Sequence, residues 1–487
     1  MFKKSLALLL ALLLLLSIFC SCAEQLPDPE PGNTEPIAQT TAPVTSDEDL
    51  SIDKNQGNQP NNPVPITYQN LLDYRVVIPK NCDLLTYYAG QNLVDYLKTT
   101  LGVTLTLVTD ASAETACEFL IGKTSRPAST VNLSLNASQY LLMQKGQKII
   151  LQGDGIYVCA AVGAFVSHYL PQKDANGTYP IKNLPTEASG KTYTFPTVYR
   201  NAILMIGDGM GYEHVNAALA NGLDSFVANE LPVIGSSTTR SQSVLNGQAD
   251  YTDSAAAATA LACGYKTING YLGKDAGGTD RQNVRELAQA FGAKTAIVTT
   301  DAITGATPAG FLCHNISRNN TSALQAEIDG LIANGSVDYC KGSVDDELTY
   351  HTRQALLTIA DSSAPFFLMV EEGYIDKHSH NNDMNNTLYT VERFNDVIAY
   401  VIGFVFCHPD TALIITADHE TGGITVANNS YGYQFTVGTH TNIDVPLYAL
   451  GAGTEVLHGQ DTENIDIARF IAKAFGAESF GQTAPVS

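Results

Sequence analysis

Asp376 and His380 stand four residues apart in Asp376-Lys377-His378-Ser379-His380, so on a helix both point the same way. Asp418 and His419 are neighbours, and His440 follows a Gly-Thr pair just ahead of an apolar run that starts at Val445. Such mixtures of carboxylate and imidazole suit zinc. Asp208, Thr307 and Glu371 offer only oxygens, which suits magnesium. Metal-assisted phosphoryl transfer needs four things: a nucleophile, a cation that ionises it, a cation at the leaving oxygen, and cationic donors for the equatorial oxygens. The nucleophile candidate is Ser254, in Thr252-Asp253-Ser254-Ala255-Ala256-Ala257-Ala258. The alanine run is a strong helix former, which places Ser254 at a helix N-terminus where backbone N–H groups favour an anion. Taken alone, the segment favours a plain helix cap by Asp253 or Ser254 over a nucleophile.

The elements that must carry these residues repeat one local event. The apolar run 202–206 ends at Asp208, the run 365–370 ends at Glu371, and the run 412–416 ends at Asp418-His419. Uninterrupted apolar runs of this length read as strands buried on both faces. Helical spacing over 284–291, 321–333, 388–401 and 465–475 lies between or after them. The alternation predicts an α/β fold with a mostly parallel central sheet and helices on both faces. In such sheets ligands bind outside the carboxyl ends of the strands, which is where these side chains fall.

Residues 197–475 resemble the alkaline phosphatases. Gly207-Asp208-Gly209-Met210-Gly211 is similar to that family's first metal-binding turn, and Thr252-Asp253-Ser254-Ala255-Ala256 to its nucleophile segment. Ala306-Thr307-Pro308-Ala309 with His314 and Arg318 reproduces the spacing from the magnesium-binding threonine to the phosphate-binding arginine. Glu371, Asp376 and His380 keep the family intervals, and Thr416-Ala417-Asp418-His419 with His440-Thr441 completes the set. The resemblance implies two zinc ions and one magnesium. Asp376, His380 and His440 would hold the zinc at the leaving oxygen, and Asp208, Asp418 and His419 the zinc that ionises Ser254. Asp208 would bridge to magnesium with Thr307 and Glu371, and Arg318 would grip two phosphate oxygens as a fork. The implied reaction is hydrolysis of a phosphate monoester through a phosphoserine on Ser254. Three divalent cations and Arg318 against four carboxylates leave roughly +3 by formal count, which favours a dianionic monoester over a monoanionic diester. The alternative within the same class is a phosphodiesterase or other phosphotransferase of the wider superfamily; its diesterases usually carry threonine where Ser254 stands, and the Pro-x-Arg pattern that a sulfatase wants after its nucleophile is absent. A surface-displayed binding protein with a degenerate site is the alternative from a different class, and the intact ligand set argues against it.

Composition agrees with a cation-dependent enzyme. The chain has 487 residues, 49 acidic against 27 basic, and a formal net charge of −22. That charge argues against sequence-independent binding of nucleic acid, so an anionic substrate needs a local positive source, and metal ions are the obvious one. Lys3 and Lys4 precede an apolar run over 6–19, which reads as a secretory signal. Ser21-Cys22-Ala23 resembles a bacterial lipoprotein processing site. Residues 1–22 are therefore expected to be a signal peptide with a lipidated Cys22, making the protein an exported cell-surface lipoprotein whose only membrane link is that lipid. Residues 23–65 hold eight prolines, eight acids and one lysine and read as a tether without a packed core. Residues 66–195 alternate strands at 74–79, 103–108, 118–122 and 147–151 with helices at 87–99 and 155–170. This unit resembles the small α/β domain that precedes the catalytic domain of several carbohydrate-active enzymes, carried by Phe119-Leu120-Ile121-Gly122-Lys123-Thr124. Residues 196–487 form the expected catalytic domain.

The sequence also departs from the family. Gly305 stands where Asp or His usually lies near the magnesium shell, so another residue must order the cation's waters or the cation is held more weakly. His314 keeps the family spacing and reads as a structural histidine, while Lys377 and His378 read either as site contacts or as plain surface. The stretch between His380 and Asp418 is too short for the large insertions on which family oligomers build, which leaves the oligomeric state open, a dimer included. Seven cysteines beyond Cys22, scattered without a CxxC pair, argue against a disulfide framework.

Overall fold

The computed structural model describes residues 65–170, 181–360, 364–459 and 461–482. The expected signal, Cys22 and nearly all of the tether lie outside them. No helix among the described residues is long and apolar enough to cross a membrane.

Two sheets organise the chain. The small one contains β1 (Arg75–Ile78), β2 (Leu107–Thr109), β3 (Glu118–Ile121), β4 (Tyr140–Lys145) and β5 (Lys148–Gly153), in the order β2-β1-β3-β5-β4. β4 has no counterpart in the sequence-based reading. It is a hairpin partner of β5, turning at Gly146, and its run Tyr140-Leu141-Leu142-Met143 lacks the alternation that marks a half-exposed strand. The strand expected at 103–108 is shorter and later, at Leu107–Thr109. The two longer helices of this unit, Leu84–Tyr96 and Tyr157–Ala164, each run on into a wider π-turn.

The large sheet has eight strands: β6 (Asn201–Gly207), β7 (Val233–Thr238), β8 (Lys294–Thr299), β9 (Tyr339–Lys341), β10 (Phe366–Glu372), β11 (Thr411–Thr416), β16 (Val445–Gly451) and β17 (Asp461–Glu463). Four two-residue strands, β12 (Glu420–Thr421) with β15 (His440–Thr441) and β13 (Thr425–Val426) with β14 (Tyr433–Gln434), form two small antiparallel ladders between β11 and β16. The large-sheet order is β17-β7-β16-β11-β6-β10-β8-β9. β11, β6, β10, β8 and β9 are mutually parallel, and β16 alone runs against its neighbours β11 and β7. The mostly parallel α/β expectation therefore holds, with one reversed strand. Every residue of β6, β10, β11 and β16 is buried, as expected for strands covered on both faces.

One face of the sheet is covered by the helix Met384–Cys407, ten residues longer than the 388–401 stretch with helical spacing. Its continuation, Ile402-Gly403-Phe404-Val405-Phe406-Cys407, is apolar all round because both sides are covered: the far side packs on the helices of the small unit. Tyr88 donates its hydroxyl to Asp396, and Asn92 donates to the Tyr400 carbonyl at 3.0 Å. The small sheet and this face share one continuous hydrophobic cluster that includes Phe119, Phe165, Val397 and Phe406.

Candidate active site

The three central parallel strands end side by side. Glu371 is paired in register with Ile206, and Ile206 with Thr416. The turns beyond these strands thus bring Asp208, Glu371 and Asp418 to one edge. Gly209 makes the first turn possible. Its φ is +76°, and a Cβ there would stand 2.9 Å from Asp376 Cα, so only glycine fits.

Two groups of side chains converge at this edge. Asp208, Asp418 and His419 bring ligand atoms within 4.8 Å of one another, and so do Asp376, His419 and His440. His419 Nε2 lies 3.2 Å from Asp418 Oδ2 and 3.6 Å from Asp208 Oδ1. Asp376 Oδ1 lies 3.3 Å from His380 Nε2 and 3.5 Å from His440 Nε2. His380 and Asp376 share the helix Tyr374–His380, as the interval of four requires. His440 rides on β15, whose partner β12 directly follows His419.

Ser254 is the first residue of the helix Ser254–Cys263. The cap is Asp253, whose Oδ1 accepts from Ala256 N at 3.0 Å. Capping and the serine's position are therefore divided between two residues. Ser254 is buried, and its Oγ lies 3.2 Å from His419 Nε2. Arg318 Nη1 lies 3.3 Å from Asp253 Oδ2, which places the guanidinium beside the serine's own turn. Thr307 and Glu371 are both buried, Thr307 on the helix Ala306–Leu312.

The polar atoms here lack partners. Asp208 Oδ1, Asp418 Oδ2, Glu371 Oε1 and Thr307 Oγ1 are buried and make no hydrogen bond to any described residue, a costly state for carboxylates unless something cationic meets them. The imidazoles point the same way. His380 Nδ1 and His440 Nδ1 face the carbonyls of Gly438 and Thr252, at 2.9 and 2.8 Å. A carbonyl can only accept, so both protons sit on Nδ1 and both Nε2 lone pairs face inward. The donor set therefore fits divalent cations on two counts: orphaned carboxylate oxygens, and imidazoles fixed in the ligating tautomer.

Electrostatics agree. Burial, followed by the charges of Asp418 and Asp376, holds Asp208 well above the usual carboxylate range. Burial, then Asp376, raises Asp418 to about 6, and burial, then Asp301, raises Glu371 to about 8. These carboxyls resist sharing negative charge without cations. Burial and the neighbouring His440 push His419 well below the usual imidazole range, which keeps it neutral.

All ten residues selected from the sequence lie at or beside this edge. The sequence reading missed the residues that hold them. Thr421 donates its hydroxyl to Asp376; it sits two positions after His419, on the same side of an extended segment, and that interval was the available signal. Glu420 is buried and accepts from the Thr441 hydroxyl, bracing the strand that carries His440. His214, which fits no ligand pattern, accepts from Gly211 N at 3.1 Å and donates through Nε2 to Ser379 Oγ at 3.0 Å. Burial lowers it to about 4, so it stays neutral and pins the helix bearing Asp376 and His380. His314 sits apart, half-buried near Glu286 and Glu327.

A family model described as Alkaline phosphatase matches residues 199–349 and 330–437. Alkaline phosphatase 4 of Bacillus subtilis strain 168 is 30% identical over 293 residues, covering 47% of this chain and 63% of that protein. The chain thus spans a little under two thirds of the length of that relative and about a third of the Escherichia coli K12 alkaline phosphatase, to which it is 38% identical over 156 residues. Alkaline phosphatase from the Antarctic bacterium TAB5 superposes with a TM-score of 0.52 at 25% identity, over 57% of this chain and 99% of that one. A histidine-to-aspartate mutant of the TAB5 enzyme, with Mg bound in its M3 site, superposes with a TM-score of 0.53 at 25% identity, over 59% of this chain and all of that one.

Proposed function

From the premise that this chain's large-sheet body belongs to the alkaline phosphatase family, we propose that the protein hydrolyses phosphate monoesters through a phosphoserine on Ser254. The observation that carries the reading is the Ser254 hydroxyl 3.2 Å from His419 Nε2, beside carboxylate oxygens that have no partner among the described residues.

Asp208, Asp418 and His419 would hold one zinc, Asp376, His380 and His440 a second, and Asp208, Thr307 and Glu371 a magnesium. When bound, such cations lower the pKa of an oxygen they touch and take up negative charge that builds on the leaving oxygen. The chain's own residues supply the rest. Arg318, at the rim beside Asp253, turns to hold two oxygens of the incoming phosphate as a fork. Ser254 Oγ forms a bond to phosphorus as the bond to the ester oxygen breaks; the serine proton passes to solvent, and the ester oxygen takes a proton from solvent as the alcohol leaves. Water then cleaves the phosphoserine, returning the hydroxyl and releasing inorganic phosphate. The N–H groups at the start of helix Ser254–Cys263 favour the phosphate at that position. The N-terminal sequence supports action outside the cytoplasm, with Cys22 as the lipid anchor.

The test is turnover of p-nitrophenyl phosphate at alkaline pH, with and without chelator. Chelator-sensitive monoesterase activity is expected, and Ser254→Ala should lower it about a thousandfold or more. Full activity in chelator would sink the metal-dependent reading. A full rate in Ser254→Ala would remove the covalent step. Faster turnover of bis-p-nitrophenyl phosphate than of the monoester would move the substrate class to diesters.

A further inference from the structure

Position 305 is glycine, so nothing from that position reaches the oxygen-only group formed by Thr307 and Glu371. The space is nevertheless filled. A Cβ built on Gly305 would stand 2.4 Å from Asp301 Oδ2 and 2.9 Å from Asp301 Cγ. The carboxylate of Asp301 occupies the volume into which a side chain at 305 would project.

Three contacts fix it there. Asp301 N donates to Thr299 Oγ1 at 2.9 Å, and the Thr299 hydroxyl in turn donates to Glu371 Oε2. The end of β8 is thereby tied to the end of β10. Asp301 Oδ1 accepts from Ala302 N at 2.6 Å and pairs with Lys377 Nζ. Lys377 follows Asp376 directly and lies 4.4 Å above the Tyr374 ring. Asp301 Oδ2 makes no hydrogen bond to a described residue. One carboxylate oxygen is thus anchored on a lysine and the other is free, on the side of Gly305. Glu371 stands close by across Gly373, where a Cβ would meet Asp301 Cβ at 3.1 Å and Glu371 Oε1 at 3.6 Å. Two carboxylates so placed, one with a buried orphaned oxygen, are explained if a hard divalent cation and its waters lie between them.

We propose that Asp301, anchored by Lys377, is a positioning residue for the third cation, supplying from the end of β8 the carboxylate that position 305 lacks. The inference rests on the three-cation reading given above. Lys377 contributes by fixing Asp301 through their ion pair, not by touching the cation.

The test is calorimetric titration of Mg2+ into the zinc-loaded full chain, with the thermal midpoint in Mg2+ as a second readout. Asp301→Ala, and Asp301→Asn as the shape-conserving variant, should weaken Mg2+ binding about 10- to 100-fold, the usual cost of losing an outer ligand partner. Gly305→Asp alone should also weaken it, because the new side chain collides with Asp301. In the double variant Asp301→Ala/Gly305→Asp the collision is gone, and affinity should return to within about threefold of the parent, well above either single variant. Unchanged Mg2+ affinity in both Asp301 variants, together with a large loss in Glu371→Gln, would overturn the role of Asp301 and leave the proposed function standing. Parental affinity in Glu371→Gln as well would overturn the third site itself, and this proposal with it.

Discussion

His380 and His440 point their Nε2 atoms at each other across 3.1 Å, while the other nitrogen of each ring donates to a backbone carbonyl. Two lone pairs face one another in a pocket that also holds Asp376 Oδ1. Without a cation or an added proton between them, the arrangement is repulsive. Removing metal should therefore destabilise the fold as well as stop catalysis. A cation at a thousandfold its dissociation constant contributes about 4 kcal/mol, so chelation should lower the thermal midpoint by several degrees or more. Calorimetry with and without chelator checks this, and coincident curves would count against metal binding. The metal-free form should also show a distinctive pH response. Glu371 is raised to about 8 by burial and by Asp301, so between about pH 4.5 and 8 the native state binds more protons than the unfolded one. Its stability should fall as pH rises through that window, and added cation should remove the fall.

Arg318 and Asp253 form the second coupled pair. Asp253 caps the helix through Oδ1, while Oδ2 accepts from Gly270 N at 3.0 Å and faces Arg318. Asp253→Asn keeps a capping oxygen but removes the charge that orients the arginine. It should cost well under the roughly 1 kcal/mol of a lost cap, and it should raise KM for phosphate esters more than it lowers kcat. Arg318→Ala should raise KM about tenfold or more, because a charge-assisted fork contributes about 1.5–3 kcal/mol. Steady-state kinetics on the two variants separate the roles; a KM unchanged in both would deny Arg318 any part in holding phosphate.

Much of this site was legible in the sequence because strand ends carry it. Apolar runs that end in Asp208, Glu371 and Asp418 state both the strand and its polar terminus. What stayed hidden is what depends on tertiary contact. Asp301 cannot be assigned from sequence, since nothing local says that its carboxylate swings into the space beside Gly305. β4 escaped notice because Tyr140–Met143 is buried on both faces and loses period-two alternation. The helix Met384–Cys407 runs past the C-terminal end of the 388–401 stretch of helical spacing because the segment beyond Val401 is apolar on every side. That all-round apolarity is the imprint of the small unit, which packs on its far face.

This packing gives a paired stability prediction. Gly163, in the helix Tyr157–Ala164, approaches the helix Met384–Cys407 so closely that a Cβ would stand 2.3 Å from the Phe406 carbonyl oxygen. Replacing a helical glycine by alanine normally gains about 0.5–1 kcal/mol. At Gly163 the obstacle is backbone and cannot swing aside, so the clash, about 1–3 kcal/mol for overpacking, should win and Gly163→Ala should destabilise. Gly330, within the exposed helix Thr321–Ala333, has nothing within 4 Å of a built Cβ, so Gly330→Ala should stabilise. Denaturant midpoints decide both signs. A stabilised Gly163→Ala would mean that the two helices are free to move apart.

Glu118 offers the last test, away from the metal edge. Its carboxylate is fully buried at the start of β3. It accepts from Lys148 Nζ at 2.7 Å, from Arg126 Nε at 3.2 Å and from Thr115 N at 3.0 Å, and it also pairs with Arg75. Burial works to raise its pKa. The hydrogen bonds from Lys148, Arg75 and the Thr115 amide outweigh burial and hold it down to about 2. A carboxyl whose pKa is depressed on folding contributes stability that is present above about pH 4.5 and is lost as pH falls through about 2. The shift bounds that contribution at about 3 kcal/mol. Glu118→Gln should flatten the stability curve between pH 2 and 4.5. At neutral pH it should cost about 3–5 kcal/mol, because three cations are left around a neutral amide. Urea unfolding of both proteins at several pH values, followed by far-ultraviolet circular dichroism, measures the difference. Parallel curves for parent and variant would show that the three cations do not depend on this carboxylate.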